Sequence, residues 1–286
     1  MWEPSAVDLE LAGNVVIVFG AARGIGAAIA KAFANEGAHL AAIDRDPSVN
    51  DLEKATPQFL SLVADVTDLN AVRQTSRDVE SRFGRCDHVV FAVGVGSGKF
   101  GFPFWKLEPA DWENVLKINL IGAVNVAHVF APALAAAARS SSETGPANGH
   151  GSASSRTILF LSSVAGQMGS QTDPPYSAAK AALINFAQCA AKDLAPFGVR
   201  VNTLCPGMVQ TPLNRGVYES WAREQSESER STYDAWTADK IKKLIPLNRW
   251  QQPEDLAAMA VFLASSQAVN ITGQTINVDG GYVMHW

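Results

Sequence analysis

Residues 157–186 read T-I-L-F-L-S-S-V-A-G-Q-M-G-S-Q-T-D-P-P-Y-S-A-A-K-A-A-L-I-N-F. Thr157–Leu161 is apolar and partly β-branched, the pattern of a strand buried on both faces of a parallel sheet. Ser162 and Ser163 end it, and a small-residue loop with Gly166 and Gly169 follows. A helix then starts near Pro175. Proline suits a first helical turn, and alanine-rich turns bearing Leu183 and Ile184 come after it. Ser163 thus stands at a strand tip, where open α/β sheets hold their ligands. Tyr176 and Lys180 are four apart and share one helix face.

The trio has a chemistry of its own. A phenol titrates near about 10 and is a poor base at neutral pH. A neighbouring ammonium favours the phenolate, so Lys180 is expected to lower the pKa of Tyr176. Tyr176 then reads as a general acid/base, with Ser163 holding a substrate oxygen beside it. The alternative is an ordinary surface Tyr–Lys pair and a strand-end serine.

Outward from this segment, strands and helices alternate. Asn14–Phe19 is an apolar run that ends in Gly20, Gly24 and Gly26, spaced G-x-x-x-G-x-G at the start of a helix. Such a turn lets a pyrophosphate approach backbone N–H groups at a helix N-terminus; a tight turn with no ligand is the alternative. Ala38–Ile43 is a second strand, and Asp44 ends it. An acid about 20 residues past the glycines is placed for the adenosine ribose hydroxyls and repels a 2′-phosphate. Arg23 and Arg45 pull the other way, although Arg45 reads more readily as a solvated surface charge. Phe59–Ala64 and Asp87–Val93 are further strands, with a helix over Asp68–Phe83 between them. Asp68 reads as the helix cap and Asp65 as a support of the loop before it.

Residues 95–107 form a glycine-rich loop with Phe100, Phe102, Phe104 and Trp105, which line a pocket or meet another subunit. Pro109 and Asp111 open a long helix to Ala138. Residues 139–156 are apolar-poor and read as a flexible surface insertion. Val199–Leu204 is the next strand. Residues 207–250 read as a substrate lid, whose Tyr218, Trp221, Tyr233 and Trp236 suit a ring-like or sugar-like body. Pro253–Ala264 is an amphipathic helix and Gln274–Val278 the last strand. The whole of 1–286 is therefore one α/β domain: a doubly wound parallel sheet of about seven strands in a three-layer α/β/α arrangement.

Composition narrows the function. The 286 residues are 47% hydrophobic and 18% charged, with net charge −5. With no dense basic block, nucleic acid and anionic membranes are not expected partners. Cys86, Cys189 and Cys205 are odd in number and scattered, which argues against disulfides or a metal site and fits a reducing cytoplasm. No basic-then-apolar leader opens the chain. The most apolar helix, around 115–138, carries Pro132 and His128, so no membrane span is expected.

Ser163 with Tyr176-Ser-Ala-Ala-Lys180 resembles the active site of the short-chain dehydrogenase/reductase family. Gly20-Ala-Ala-Arg-Gly24-Ile-Gly26, Asp65-Val-Thr, Asn119-Leu-Ile-Gly122, Pro206-Gly207 with Thr211, and Val278-Asp-Gly-Gly281 match other family signatures in order. The resemblance implies a Rossmann-type fold and hydride transfer between a nicotinamide cofactor and a carbinol or carbonyl carbon. It implies that Tyr176 exchanges the proton, Ser163 polarises the substrate oxygen, Lys180 lowers the phenol's pKa and bonds the nicotinamide ribose, and Asn119 bends its helix and completes a water-held proton relay. A mid-helix Asn bonded to the backbone is the plainer reading of Asn119. The implied cofactor contacts are Gly20, Arg23, Gly24, Ile25 and Gly26 in the first turn, and Asp44, Arg45, Asp65 and Val66 towards the adenosine. Gly94, Tyr176, Lys180, Pro206, Gly207, Val209 and Thr211 lie towards the nicotinamide. No metal is implied.

Asp44 points to NAD(H), with an NADP(H)-dependent ketoacyl reductase as the alternative and a non-catalytic dinucleotide-binding regulator as a more distant one. The resemblance also implies a small-molecule alcohol or ketone as substrate and a homotetramer or homodimer. The chain departs from the family at Phe19, where a Thr is usual, and at Phe91-Ala-Val-Gly94, where Asn-Asn-Ala-Gly is usual. Phe19 and Phe91 are expected to replace polar cross-ties by lying together as one apolar tie.

Overall fold

The computed structural model describes residues 8–52, 58–142, 155–169 and 172–284. Its strands are β1 (Val15–Phe19), β2 (His39–Asp44), β3 (Phe59–Val63), β4 (His88–Phe91), β5 (Arg156–Leu161), β6 (Val199–Pro206) and β7 (Thr275–Val278). They form one seven-stranded sheet in the order β3-β2-β1-β4-β5-β6-β7, with every pairing parallel. The helices are α1 (Gly24–Asn35), α2 (Leu69–Phe83), α3 (Pro109–Leu116), α4 (Gly122–Ser142), α5 (Pro174–Leu194), α6 (Pro212–Glu224), α7 (Tyr233–Leu244) and α8 (Pro253–Ala264).

The two-residue period of a strand builds two cores from one apolar run. Val15, Ile17 and Phe19 join Val72, Phe130 and Leu183 beneath α2, α4 and α5. Val16 and Val18 join Ile29, Phe33 and Val261 beneath α1 and α8. The strand order reverses between β1 and β4, which opens a crevice at their C-terminal ends.

α3 and α4 make one rod joined by a π-helical turn, Lys117–Ile121, and Asn119 sits in that turn. Pro132 lies inside α4 and does not end it. Pro132 and His128, one turn back, both lie on the exposed side, where a carbonyl that lacks its helical donor can be hydrated. The span Pro109–Ala137 is long and apolar enough to cross a membrane. Its inner face is part of the core, however, through Ala123, Val126, Phe130 and Leu134. The stretch read as a flexible insertion is helical to Ser142 and back in the sheet at Arg156, which is buried. Residues 143–154 lie outside the described residues.

Phe19 and Phe91 are register partners across β1 and β4, and both are fully buried. Their rings pair elsewhere. Phe19 meets Phe130 of α4 edge-on at 5.8 Å, and Phe91 tilts towards Phe160 of β5 at 6.3 Å. The expected single tie is thus two ring contacts. Phe91 and Phe160 are themselves register partners across β4 and β5, so register alone does not decide which rings meet; the ring geometry in the helix layer does.

Candidate active site

A cleft of about 310 Å³ runs across the sheet's C-terminal edge. It gathers the residues named above from the first turn, the ends of β2 and β3, Gly94, Ser163, Tyr176, Lys180 and the turn after β6. Asn119 does not line it. That residue is wholly buried behind the wall.

The first turn is shaped for close approach. A Cβ at Gly26 would lie 2.0 Å from the Gly20 carbonyl oxygen, so the helix packs directly on the turn. No side chain caps the N-terminus of α1, and no acid occupies its first turn. Arg23, Gly24, Ile25 and Gly26 at that start line the cleft, and a helix N-terminus there fits the pyrophosphate of a dinucleotide. At the end of β2 the two oxygens of Asp44 accept the N–H groups of Ala22 at 3.1 Å and Asp46 at 3.0 Å. A carboxylate retains further lone pairs for ribose hydroxyls. Arg23 pairs with Asp46 at 3.5 Å on the exposed rim, and Arg45 is exposed. Asp65 supports its own loop by accepting the Thr67 N–H at 2.8 Å and also lines the cleft. The Thr67 bond holds the Asp65 carboxyl below its usual value. Asp68 caps α2 and does not line the cleft.

Asp173, the N-cap of α5, sets the helix that carries Tyr176 and Lys180. Ser162 ties that helix to β5, its hydroxyl donating to the Lys180 carbonyl at 2.8 Å. The Lys180 ammonium reaches back to the sheet, donating to the carbonyls of Leu161 at 2.8 Å and Val93 at 3.3 Å. It also lies 5.5 Å from the centre of the Tyr176 ring. Burial pushes the Lys180 ammonium down to about 7. The expected lowering of the phenol is not found. Burial pushes Tyr176 up to about 12, opposed by its hydrogen bond with Ser163. The physical reason is the burial of the phenol, while the Lys180 ammonium donates to strand carbonyls.

Asn119 behaves as the backbone-bonded reading foresees. Its amide donates to the carbonyls of Val115 at 2.9 Å and Val95 at 2.8 Å, and its carbonyl accepts the Val95 N–H at 3.3 Å. It therefore braces the loop after β4. Thr211 caps α6 through the Asn214 N–H at 3.3 Å. Gln251 is a support that the sequence did not single out. Its carbonyl oxygen accepts the Gly207 N–H at 3.0 Å and its amide donates to the Val278 carbonyl at 2.5 Å, fixing the turn after β6. The aromatics of the lid pack on one another: Tyr218 lies 5.2 Å from Tyr233 and 5.5 Å from Trp236, and Trp221 lies 6.0 Å from Trp236. They form the lid's own core, and α6 turns Leu213, Asn214 and Val217 to the cleft instead. Among the described residues no cluster of three metal-ligating side chains occurs.

A family model described as enoyl-(acyl carrier protein) reductase matches residues 20–283. The 3-oxoacyl-[acyl-carrier-protein] reductase of Thermotoga maritima is 31% identical over 96% of this chain and 100% of its own. The D-threitol dehydrogenase of Mycolicibacterium smegmatis is 32% identical over 97% of this chain and 95% of its own. The structure of L-sorbose reductase from Gluconobacter frateurii, solved with NADPH and L-sorbose, superposes with a TM-score of 0.83 at 25% identity over 98% of this chain and 100% of that one. With the glycine turn, Ser163, Tyr176 and Lys180 in one cleft, the chain belongs to the short-chain dehydrogenase/reductase family, whose members interconvert secondary alcohols and ketones with a nicotinamide dinucleotide.

Proposed function

We propose that this enzyme is a dehydrogenase of small secondary alcohols that prefers NAD(H), with Tyr176 as its proton carrier. Asp44 is the observation that carries the cofactor preference. It lines the cleft at the end of β2, a position from which a carboxylate can accept ribose hydroxyls and repel a 2′-phosphate. Asp46 adds a second carboxylate there and pairs with Arg23, the nearest cation of the glycine turn. Arg45 and the NADPH of the L-sorbose reductase structure favour the second reading, an NADP(H)-dependent ketone or ketoacyl reductase. Dissociation constants of NADH and NADPH decide between them, and tighter NADPH binding would overturn the proposal.

A bound nicotinamide dinucleotide supplies or accepts the hydride. The chain's own residues do the rest. The turn at Gly20–Gly26 and the uncapped start of α1 hold the pyrophosphate. Ser163 holds the substrate oxygen beside Tyr176. Tyr176 gives its proton to that oxygen in reduction and takes it back in oxidation. A phenol at about 12 is protonated at neutral pH, which suits reduction, while the base needed for oxidation grows as pH rises. Lys180 is placed to bond a ribose hydroxyl, and Asn119 positions the loop beside it. A rate screen with NAD over polyols, sugars, cyclic alcohols and hydroxy acids identifies the substrate. NADH binding with no turnover across that panel would favour a non-catalytic regulator.

The proposal extends to a homotetramer or homodimer in the cytoplasm. Apolar side chains left exposed, among them Trp105, Leu247 and Met284, support the assembly. Cys86, Cys189 and Cys205, all unpaired, support the compartment. Light scattering of the purified protein checks the first.

A further inference from the structure

Val95 lines the cleft, and the loop it belongs to is held from two sides. On one side Asn119 grips Val95 by both its N–H and its carbonyl. On the other side stands Asp173, three residues before Tyr176 and only 5% exposed. One Asp173 oxygen accepts the Ser97 N–H at 2.8 Å, and the other accepts the Tyr176 N–H at 3.4 Å. Beside it the Thr172 carbonyl accepts the Gly101 N–H at 2.8 Å. Gly96 is pressed against this contact. A Cβ there would lie 2.7 Å from the Asp173 carboxylate and 2.9 Å from the Phe100 ring.

Helix capping alone does not call for this arrangement. Serine caps a helix as well as aspartate does, and it does not have to be buried. A buried carboxylate loses hydration, and burial does raise the Asp173 carboxyl above its usual value, against the pull of the Ser97 and Tyr176 N–H groups. What a carboxylate adds is a second acceptor oxygen for a second segment of chain. We infer that Asp173 is a positioning residue. It latches the loop 95–101 to the mouth of α5 and so fixes the gap between Val95 and Tyr176 in which the substrate carbon has to sit. The inference rests on the reading of Tyr176 as the proton carrier.

Three variants separate the latch from the cap. Asp173→Ser keeps a capping oxygen for Tyr176 and gives up the reach to Ser97. Asp173→Asn keeps the size and one acceptor oxygen. Gly96→Ala disturbs the same contact from the loop side and leaves α5 untouched. Hydrogen exchange of the loop 95–101 is measured on the purified protein, without turnover. Steady-state rates are measured with NAD and D-threitol, or with the alcohol of highest wild-type rate. Loss of a hydrogen bond to a carboxylate is worth about tenfold or more. Loop exchange and KM for the alcohol should therefore each rise by about that factor in Asp173→Ser and Gly96→Ala, with kcat and the NADH dissociation constant nearly unchanged. Asp173→Asn should recover part of both.

Unchanged exchange in Asp173→Ser would reduce Asp173 to a helix cap and overturn the latch. Faster exchange with an unchanged KM would overturn its role in the substrate gap. If the wild type oxidises no alcohol, the reading of Tyr176 fails, and the exchange result still decides whether the latch exists.

Discussion

At the scale of single residues the chemistry rests on Tyr176 and Asp44. Tyr176→Phe keeps the ring and removes the transferable proton, so kcat should fall about 10²–10⁴-fold, the usual worth of a positioned acid/base. NADH binding should hardly change, and a variant that keeps more than about a tenth of wild-type kcat would exclude the role. The titration of the same group sets a pH dependence. Its pKa is raised, to about 12, so the phenol keeps its proton through the neutral range and the basic form grows as pH rises. Alcohol oxidation should therefore accelerate between pH 7 and 9, by up to about tenfold per unit where proton removal limits the rate. A flat kcat profile would assign the base elsewhere. Asp44 sets the cofactor. In Asp44→Ala the repulsion of a 2′-phosphate is gone, and Arg23 and Arg45 can turn to it. The ratio of NADPH to NADH dissociation constants should drop towards one or below, and an unchanged ratio would remove Asp44 from the selection.

Elements explain what the sequence could and could not disclose. The apolar runs of β1, β4, β5 and β6, the glycine turn and the Tyr176–Lys180 face were legible because their signals are local: a two-residue period, a turn chemistry, a spacing of four. The positions of Phe19 and Phe91 in the sheet were legible for the same reason, and their ring contacts were not. Phe130 lies in a helix that returns to the sheet from far along the chain, and only packing decides which ring face is nearest. The lid aromatics failed likewise, since a run of tyrosines and tryptophans does not say whether it faces a ligand or itself. The Asp173 contact joins residues 76 apart, and its sole local trace is an acid at a helix mouth. The ring chain is testable. Phe19 and Phe130 meet edge-on at 5.8 Å, so Phe19→Leu and Phe130→Leu should couple by about 0.5–1.5 kcal/mol in a double-mutant cycle. The cycle of Phe19→Leu with Phe91→Leu should show less. Equal coupling in both cycles would restore the single tie between β1 and β4.

Across the whole molecule the sheet has two unlike ends. Its C-terminal edge holds the cleft, and its N-terminal edge holds a buried polar cluster far from the chemistry. There Asp87, fully buried, accepts the Val15 N–H at 2.9 Å and pairs with Arg85 at 2.5 Å. Next to it His88 is fully buried between Asn14, at 3.2 Å, and Thr157, at 2.9 Å. Burial pushes the imidazole down to about 4, with Asp87 opposing and Arg200, Arg156 and Arg85 reinforcing the shift. A histidine depressed in the folded state stays neutral there, while in the unfolded chain it protonates near about 6.5. As pH falls below that value the unfolded chain binds a proton that the native one refuses, so stability drains away until the folded pKa is reached. Between pH 7.5 and 5 this one group should remove about 2 kcal/mol. Urea unfolding of the wild type over that window should show the decline, and His88→Gln, which cannot titrate, should show a flatter one even if it is less stable throughout. Equal slopes in the two proteins would mean that the acid sensitivity of the fold arises at the carboxylates instead of at His88.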